Sequence, residues 1–71
     1  MEENEFGLSI KIAGIGYFDK RFTKGLHGVK SIAGKAFHKP FVTTVCVYSP
    51  KGVAHLYLKK TANGVVREER E

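Results

Sequence analysis

Two turn signals divide the second half of the chain into three β-type runs. Residues 49–52, Ser-Pro-Lys-Gly, place proline second and glycine fourth, which favours a type I turn. Asn63-Gly64 is the dipeptide most typical of a two-residue hairpin loop. The first run, residues 41–48, is rich in β-branched and aromatic residues. The three runs predict a three-stranded antiparallel meander over residues 41–48, 53–61 and 65–69.

The first half of the chain predicts one strand and one helix. Residues 8–13 alternate apolar and polar side chains, which indicates a half-buried strand. Gly14 and Gly16 break the alternation and predict a bulge or a sharp bend, and the basic segment 18–25 is expected to be a connection. Apolar side chains then recur at helical spacing in residues 29–38. The predicted helical stripe is Val29, Ile32, Ala33, Ala36 and Phe37.

This order of elements predicts a small two-layer α+β domain. A strand, a helix and a three-strand antiparallel meander (βαβββ) follow one another, with the helix on one sheet face. A small all-β barrel, in which residues 29–38 form only a turn, is the alternative. The chain of 71 residues has the length of one domain. We expect an acidic N-terminal tip at 1–5, a single basic α+β domain at 6–66 and a charged C-terminal tail at 67–71.

The positive charge is concentrated in the middle of the chain. The formal net charge is +5, but segment 6–66 holds ten Lys or Arg and one acid, Asp19, for a net +9, while the tip carries −3 and the tail −1. A field of this sign raises the local concentration of polyanions. A single carboxylate also argues against general acid–base catalysis by paired carboxylates within 6–66.

Strand register assigns the meander's side chains to two faces. If Tyr48 lies opposite Val53, Cys46 lies opposite His55 and the remaining pairs follow. One face is apolar and is expected to pack under the helix: Val45, Val47, Ala54, Leu56 and Leu58. The other face mixes rings and cations: Thr44, Cys46, Tyr48, His55, Tyr57 and Lys59, to which the first strand adds Ser9 and Lys11.

This second face points to nucleic acid. Aromatic rings on an open sheet stack with exposed bases, and flanking cations neutralise phosphates. We therefore expect a non-enzymatic nucleic-acid-binding protein that favours single strands, DNA or RNA. The expected sheet platform is Lys11, Tyr48, His55, Tyr57 and Lys59. Phosphate contacts are expected from Lys20, Arg21, Lys24, Lys30, Lys35 and Lys39. In the simpler interpretation, the rings only stabilise the sheet as cross-strand neighbours.

A second hypothesis gives the chain a protein partner. Small basic single-domain proteins without a catalytic set are typical of the inhibitors and adaptors that phages and mobile elements direct at host protein complexes. Such a protein covers an acidic patch or a nucleic-acid channel on its target. The exposed sheet face is then a protein interface, either with that target or with a second copy in a homodimer.

The motifs of common enzymes and metal sites are incomplete. Five residues rather than four separate Gly28 from Gly34, and Ala36 stands where a phosphate-binding loop needs a hydroxyl. Cys46 opposite His55 lacks a nearby orienting carboxylate for thiol catalysis. The histidines and the cysteine do not have the local spacing of a zinc site. We expect no catalytic residue, no cofactor and no metal.

Cysteine content and hydropathy bear on the compartment. Cys46 is the only cysteine, so the chain has no internal disulfide. One cysteine and no secretory leader favour a reducing, cytoplasmic setting. No apolar run approaches the roughly 20 residues of a membrane span.

Overall fold

The computed structural model describes residues 5–70. In chain order the elements are β1 (Gly7–Ile12), β2 (Gly16–Arg21), α1 (Leu26–Phe37), β3 (Val42–Tyr48), β4 (Ala54–Thr61) and β5 (Gly64–Glu69). The strands form one antiparallel sheet in the order β2-β1-β3-β4-β5, and α1 packs on one of its faces. Within the described residues β2 and β5 are open edges. The small α+β class is therefore confirmed, and the closed-barrel alternative is wrong.

The core lies between α1 and the central strands. The helix contributes Val29 and Ala33, which are fully buried, while Ile32 and Phe37 pack at the margin. Each fully buried Val or Leu contributes about 1.5–3 kcal/mol relative to an exposed one. The buried apolar side chains are Leu8, Val29, Ala33, Val42, Val45, Val47, Leu56 and Leu58. The apolar face predicted for the meander is thus confirmed, except at Ala54, which is exposed.

The helix starts earlier than its predicted bounds. It begins at Leu26, after Gly25 as an N-cap that offers no side-chain hydrogen bond. Leu26 is partly buried and continues the stripe of Val29 and Ala33 by one turn toward the N-terminus. The helix ends at Phe37, one residue before the predicted end and three before Pro40.

An additional strand overlaps the segment 18–25 that is predicted as a connection. Residues 16–21 form β2, which pairs antiparallel with β1 across a turn at 13–15. The sharp bend predicted at the two glycines is confirmed, because Gly14 (φ 79°) and Gly16 (φ 133°) adopt positive backbone angles that only glycine tolerates well. As an edge strand, β2 has exposed side chains on both faces after Gly16, so its sequence lacks the apolar alternation of a half-buried strand.

The register of β3 against β4 differs from the predicted one. Val47 pairs with Leu56 and Tyr48 with Ala54, which leaves His55 as the extra residue of a β-bulge. The cause is a wider turn, in which the Ser49 hydroxyl accepts hydrogen bonds from two backbone N–H groups of residues 51 and 53. The pairing of Cys46 with His55 is wrong, since Cys46 lies opposite Tyr57. The main ladder is displaced by two residues, so each residue from Leu56 onward keeps its predicted face.

The last hairpin belongs to the sheet, and its second strand extends into the predicted tail. The predicted hairpin is present, but Thr61 pairs with Gly64, so its loop residues are Ala62 and Asn63. The strand β5 runs through Glu69 and includes the first part of the segment grouped by charge as a tail. Of the acidic tip, residues 1–4 lie outside the described residues. None of the helical structure found in residues 5–70 has the length and apolar character needed to cross a membrane.

Candidate nucleic-acid interface

The sheet face opposite α1, called the open face below, arranges its side chains in three rows. Because directly paired residues of neighbouring strands point to the same side, the ladder pairs define each row. The first row is Arg21, Gly7, Tyr48 and Ala54. The second row is Asp19, Ser9, Cys46, Tyr57 and Glu68. The third row is Tyr17, Lys11, Thr44, Lys59 and Val66.

Tyr17 is the ring of the open face that sequence reasoning missed. It is 66% exposed, and the Lys11 Nζ lies 5.5 Å from its ring centroid. The sequence does not predict β2, and without that strand no pattern assigns Tyr17 to a sheet face. The third row therefore contains the Tyr17 ring and two cations, Lys11 and Lys59, which lie two strands apart.

Tyr48 is held across the first row by its neighbours. Its ring covers the Cα of Gly7, where a Cβ atom would overlap the ring carbons. On the far side of Gly7, the Arg21 guanidinium lies 5.9 Å from the ring centroid. The arrangement depends on the absence of a side chain at residue 7. It fixes an aromatic surface and a cation next to each other at one end of the open face.

The second row carries the acids of the open face. Tyr57 lies between Cys46 and Glu68, and Asp19 stands at the opposite edge of the same row. Lys11, Arg21 and Lys59 therefore face two carboxylates among the described strand residues, so the open face is close to neutral. The cations of the open face thus lie in its first and third rows, and the carboxylates lie in its second row.

Cys46 is a partly buried free thiol, and His55 makes contacts within the fold. Burial raises the pKa of the Cys46 thiol, which is the opposite of the change that activates a thiolate. The Nδ1 atom of His55 lies 3.2 Å from the backbone oxygen of Arg70, and its ring meets the edge of Phe6 at 5.7 Å between centroids. In residues 5–70 no group of three or more metal-ligating side chains comes together.

The helix-side cations lie on the other surface of the molecule. Lys20 is paired with buried Leu8 and so points to the side of α1, and Lys24 packs its stem along Gly28 in the first helical turn. Lys35 is in the last helical turn, and Lys39 follows the helix. The structure thus divides the predicted site: Lys11, Arg21, Tyr48, Tyr57 and Lys59 share the open face, and His55 lies at its end.

Lys30 is committed to an ion pair within the fold. Its Nζ lies 2.8 Å from Glu69 on β5, and its side chain is 12% exposed. Arg67 contacts the other oxygen of the same carboxylate at 2.6 Å. The hydrogen bond from Lys30 and, to a smaller extent, the hydrogen bond from Arg67 lower the pKa of Glu69. Among the described residues, Lys30 is the one predicted phosphate ligand that forms an ion pair within the fold.

Comparisons of the chain with protein-family models, with curated proteins and with solved structures found no significant match. The functional assignment therefore rests on the residues of this chain and their arrangement.

Proposed function

We propose that this protein binds single-stranded nucleic acid on its open face and performs no chemistry on it. One observation carries the proposal: three tyrosines and three cations share a sheet face that no element covers in the described structure. They are Tyr17, Tyr48, Tyr57, Lys11, Arg21 and Lys59. Stacking of a base on an aromatic side chain contributes about 1–3 kcal/mol, and sequence has little influence on it.

The rows suggest how a strand would lie. Tyr17 on β2 and Tyr57 on β4 are three strand spacings apart, about 14 Å, so a strand that reaches both rings must cross the sheet. Lys11 and Lys59 line the third row on this route and neutralise its phosphates. Three rings accommodate up to three bases, as sheet platforms of other RNA-binding domains do.

The test compares two substitutions of one ring. Tyr57→Phe keeps the stacking surface, whereas Tyr57→Ala removes it. Binding of labelled single-stranded RNA, single-stranded DNA and duplex DNA is followed by fluorescence anisotropy at several salt concentrations. We expect Tyr57→Ala to weaken single-strand binding about 5- to 100-fold with an unchanged salt slope, and Tyr57→Phe to bind like the wild type.

Two results would count against this assignment. Equal affinity of the alanine and phenylalanine variants removes Tyr57 from the interface. Weak binding that is indifferent to the nucleic acid and is abolished by modest salt reduces the interaction to the attraction of a basic protein for any polyanion.

A second candidate function is supported by a different surface. Ile15, Phe18 and Phe41 are exposed by 71%, 52% and 52%, and the Ala13 N–H donates to the Phe41 oxygen, which brings the two segments together. Exposed apolar groups of this kind mark protein interfaces. An inhibitor or adaptor that docks this end on an acidic protein would form a complex that survives nuclease treatment and is lost in Ile15→Ser. Either function fits the reducing cytoplasm, the compartment that we propose for a chain with a single free thiol.

A further inference from the structure

The two sides of the sheet differ strongly in charge. The helix side, defined as α1, its flanking loops and the strand positions that face it, holds seven cations and one carboxylate among the described residues. The carboxylate is Glu69, which Lys30 and Arg67 already contact. The cations are Lys20, Lys24, Lys30, Lys35, Lys39, Lys60 and Arg67. The described strand positions of the open face, in contrast, hold three cations against two carboxylates.

We infer that the helix side is a second nucleic-acid surface, which holds the phosphate backbone of another strand or duplex while the open face holds a single strand. The protein then bridges two nucleic-acid molecules. This inference rests on the proposed function, because the open face must carry the first strand. It adds a different mode of contact on the opposite side, one that reads charge and not bases.

The position of Lys24 supports a role outside the fold. It immediately precedes the N-cap of α1, where the positive end of the helix dipole disfavours a cation, typically by about 0.3–1 kcal/mol. The first helical turn contains no acidic residue that would compensate. A phosphate at this end would contact both Lys24 and the unpaired amides of the helix, which are favourable partners for an anion.

The outward ridge of the helix is polar. Its exposed residues at helical spacing are His27, Ser31, Lys35 and His38, and each of these side chains can donate a hydrogen bond to a phosphate oxygen. At the C-terminal end Lys39 is exposed, and the Lys60 Nζ is held beside it by the Lys39 backbone oxygen at 2.9 Å. Cations therefore lie at both ends of α1, so a backbone laid along the helix meets them in succession.

Two bound strands would not compete for space. The sheet and a helix about 10 Å across with its side chains separate the two surfaces. A strand on the open face and a backbone on the helix side are thus on opposite sides of the molecule. Bridging in this way brings two strands close together, which is the physical requirement for accelerating their annealing.

The experiment measures co-capture. A biotinylated single strand of unrelated sequence is immobilised, and a fluorescent duplex is added with the wild type, with Lys24→Gln/Lys39→Gln, or with the control Lys51→Gln, which loses an exposed cation of the turn that joins β3 to β4, outside both surfaces. We expect the wild type and the control to retain the duplex on the beads. The helix-side variant should lose at least tenfold in co-capture, bind the single strand alone within about twofold of wild type, and show a duplex salt slope lower by about 2.

The outcomes separate the two proposals. If the wild type binds the single strand but retains no duplex, or if the helix-side variant co-captures as well as the control does, the bridging inference is overturned and the open-face proposal stands. If duplex binding depends on Lys24 and Lys39 but Tyr57→Ala leaves single-strand binding unchanged, the open-face proposal fails and bridging fails with it.

Sedimentation of the free protein shows whether it is monomeric. Co-capture that appears only when the protein dimerises, and equally in all three proteins, assigns bridging to two open faces and rejects the helix side.

Discussion

Gly7 shows how much of the open face depends on single residues. Tyr48 lies over a position where any side chain would displace its ring, and Arg21 completes the row beyond it. The face assignments of Tyr48, Tyr57 and Lys59 follow from strand alternation, and a two-residue error in register leaves them intact. The close contact between Gly7 and the Tyr48 ring cannot be predicted in this way. Strand alternation assigns a ring to one sheet face but does not predict which residue the ring covers.

Two glycine substitutions of opposite sign test this contact. We expect Gly7→Ala to lower the free energy of unfolding by about 1–3 kcal/mol, since the new methyl group forces the Tyr48 ring to move. Gly34→Ala is the control: apart from its chain neighbours and the backbone of its own helix, no atom lies within 4 Å of the added Cβ, so it should raise stability by about 0.5–1 kcal/mol through helix propensity. Urea unfolding followed by circular dichroism measures both. A neutral Gly7→Ala would mean that the Tyr48 ring is not packed on residue 7.

Among the elements, the two edge strands differ in how well the sequence predicts them. The strand β5 follows a hairpin signal and is predicted, whereas β2 carries exposed, mostly polar side chains and the sequence predicts a connection over most of it. That omission removed Tyr17 from the predicted site and placed Arg21 in a loop. Neither alternation nor propensity reports a strand whose two faces are both in water, since its pairing with β1 is the property that defines it.

The strand β5 is tied to the helix layer by the Lys30–Glu69 pair, which gives a pH-dependent prediction. The pKa of Glu69 is lowered in the folded state, so its contribution to stability is present above the ordinary carboxyl pKa and is lost as the pH falls through the lowered one. We expect Glu69→Gln to be less stable than the wild type at neutral pH, and the difference to close in acid. A double-mutant cycle with Lys30→Gln checks the partner. If the gap between wild type and Glu69→Gln stays constant from neutral pH into acid, the pair does not link β5 to α1 in solution.

For the whole molecule, sequence predicted the sign of the field but not its geometry. Counting charges in segment 6–66 gave a strongly basic body, and the structure shows that most of this charge lies on one side of the sheet, around α1. Apart from Arg21, the predicted phosphate ligands consequently do not share a surface with the predicted tyrosines. The sequence does not show that Lys11 and Lys35 lie on opposite sides of the sheet, because this depends on which sheet face the helix covers.

This concentration of like charge predicts a stability that depends on salt. Repulsion among the helix-side cations opposes the compact state, and ions screen it over a Debye length of about 10 Å at 0.1 M. We expect the Tm to rise between about 20 and 300 mM NaCl. Lys24→Gln should raise the Tm in low salt, by about 4–8 °C for each kcal/mol of repulsion relieved, and this advantage should shrink in high salt. Lys59→Gln on the nearly neutral open face is the matched control and should change the Tm less. Thermal unfolding by circular dichroism distinguishes the cases.

Equal effects of the two substitutions at every salt concentration would mean that the positive field is not concentrated around α1. An advantage of Lys24→Gln that persists in high salt would instead assign the cost to the local helix terminus. In that case the helix-side cations would lack the mutual repulsion that a bound polyanion would relieve.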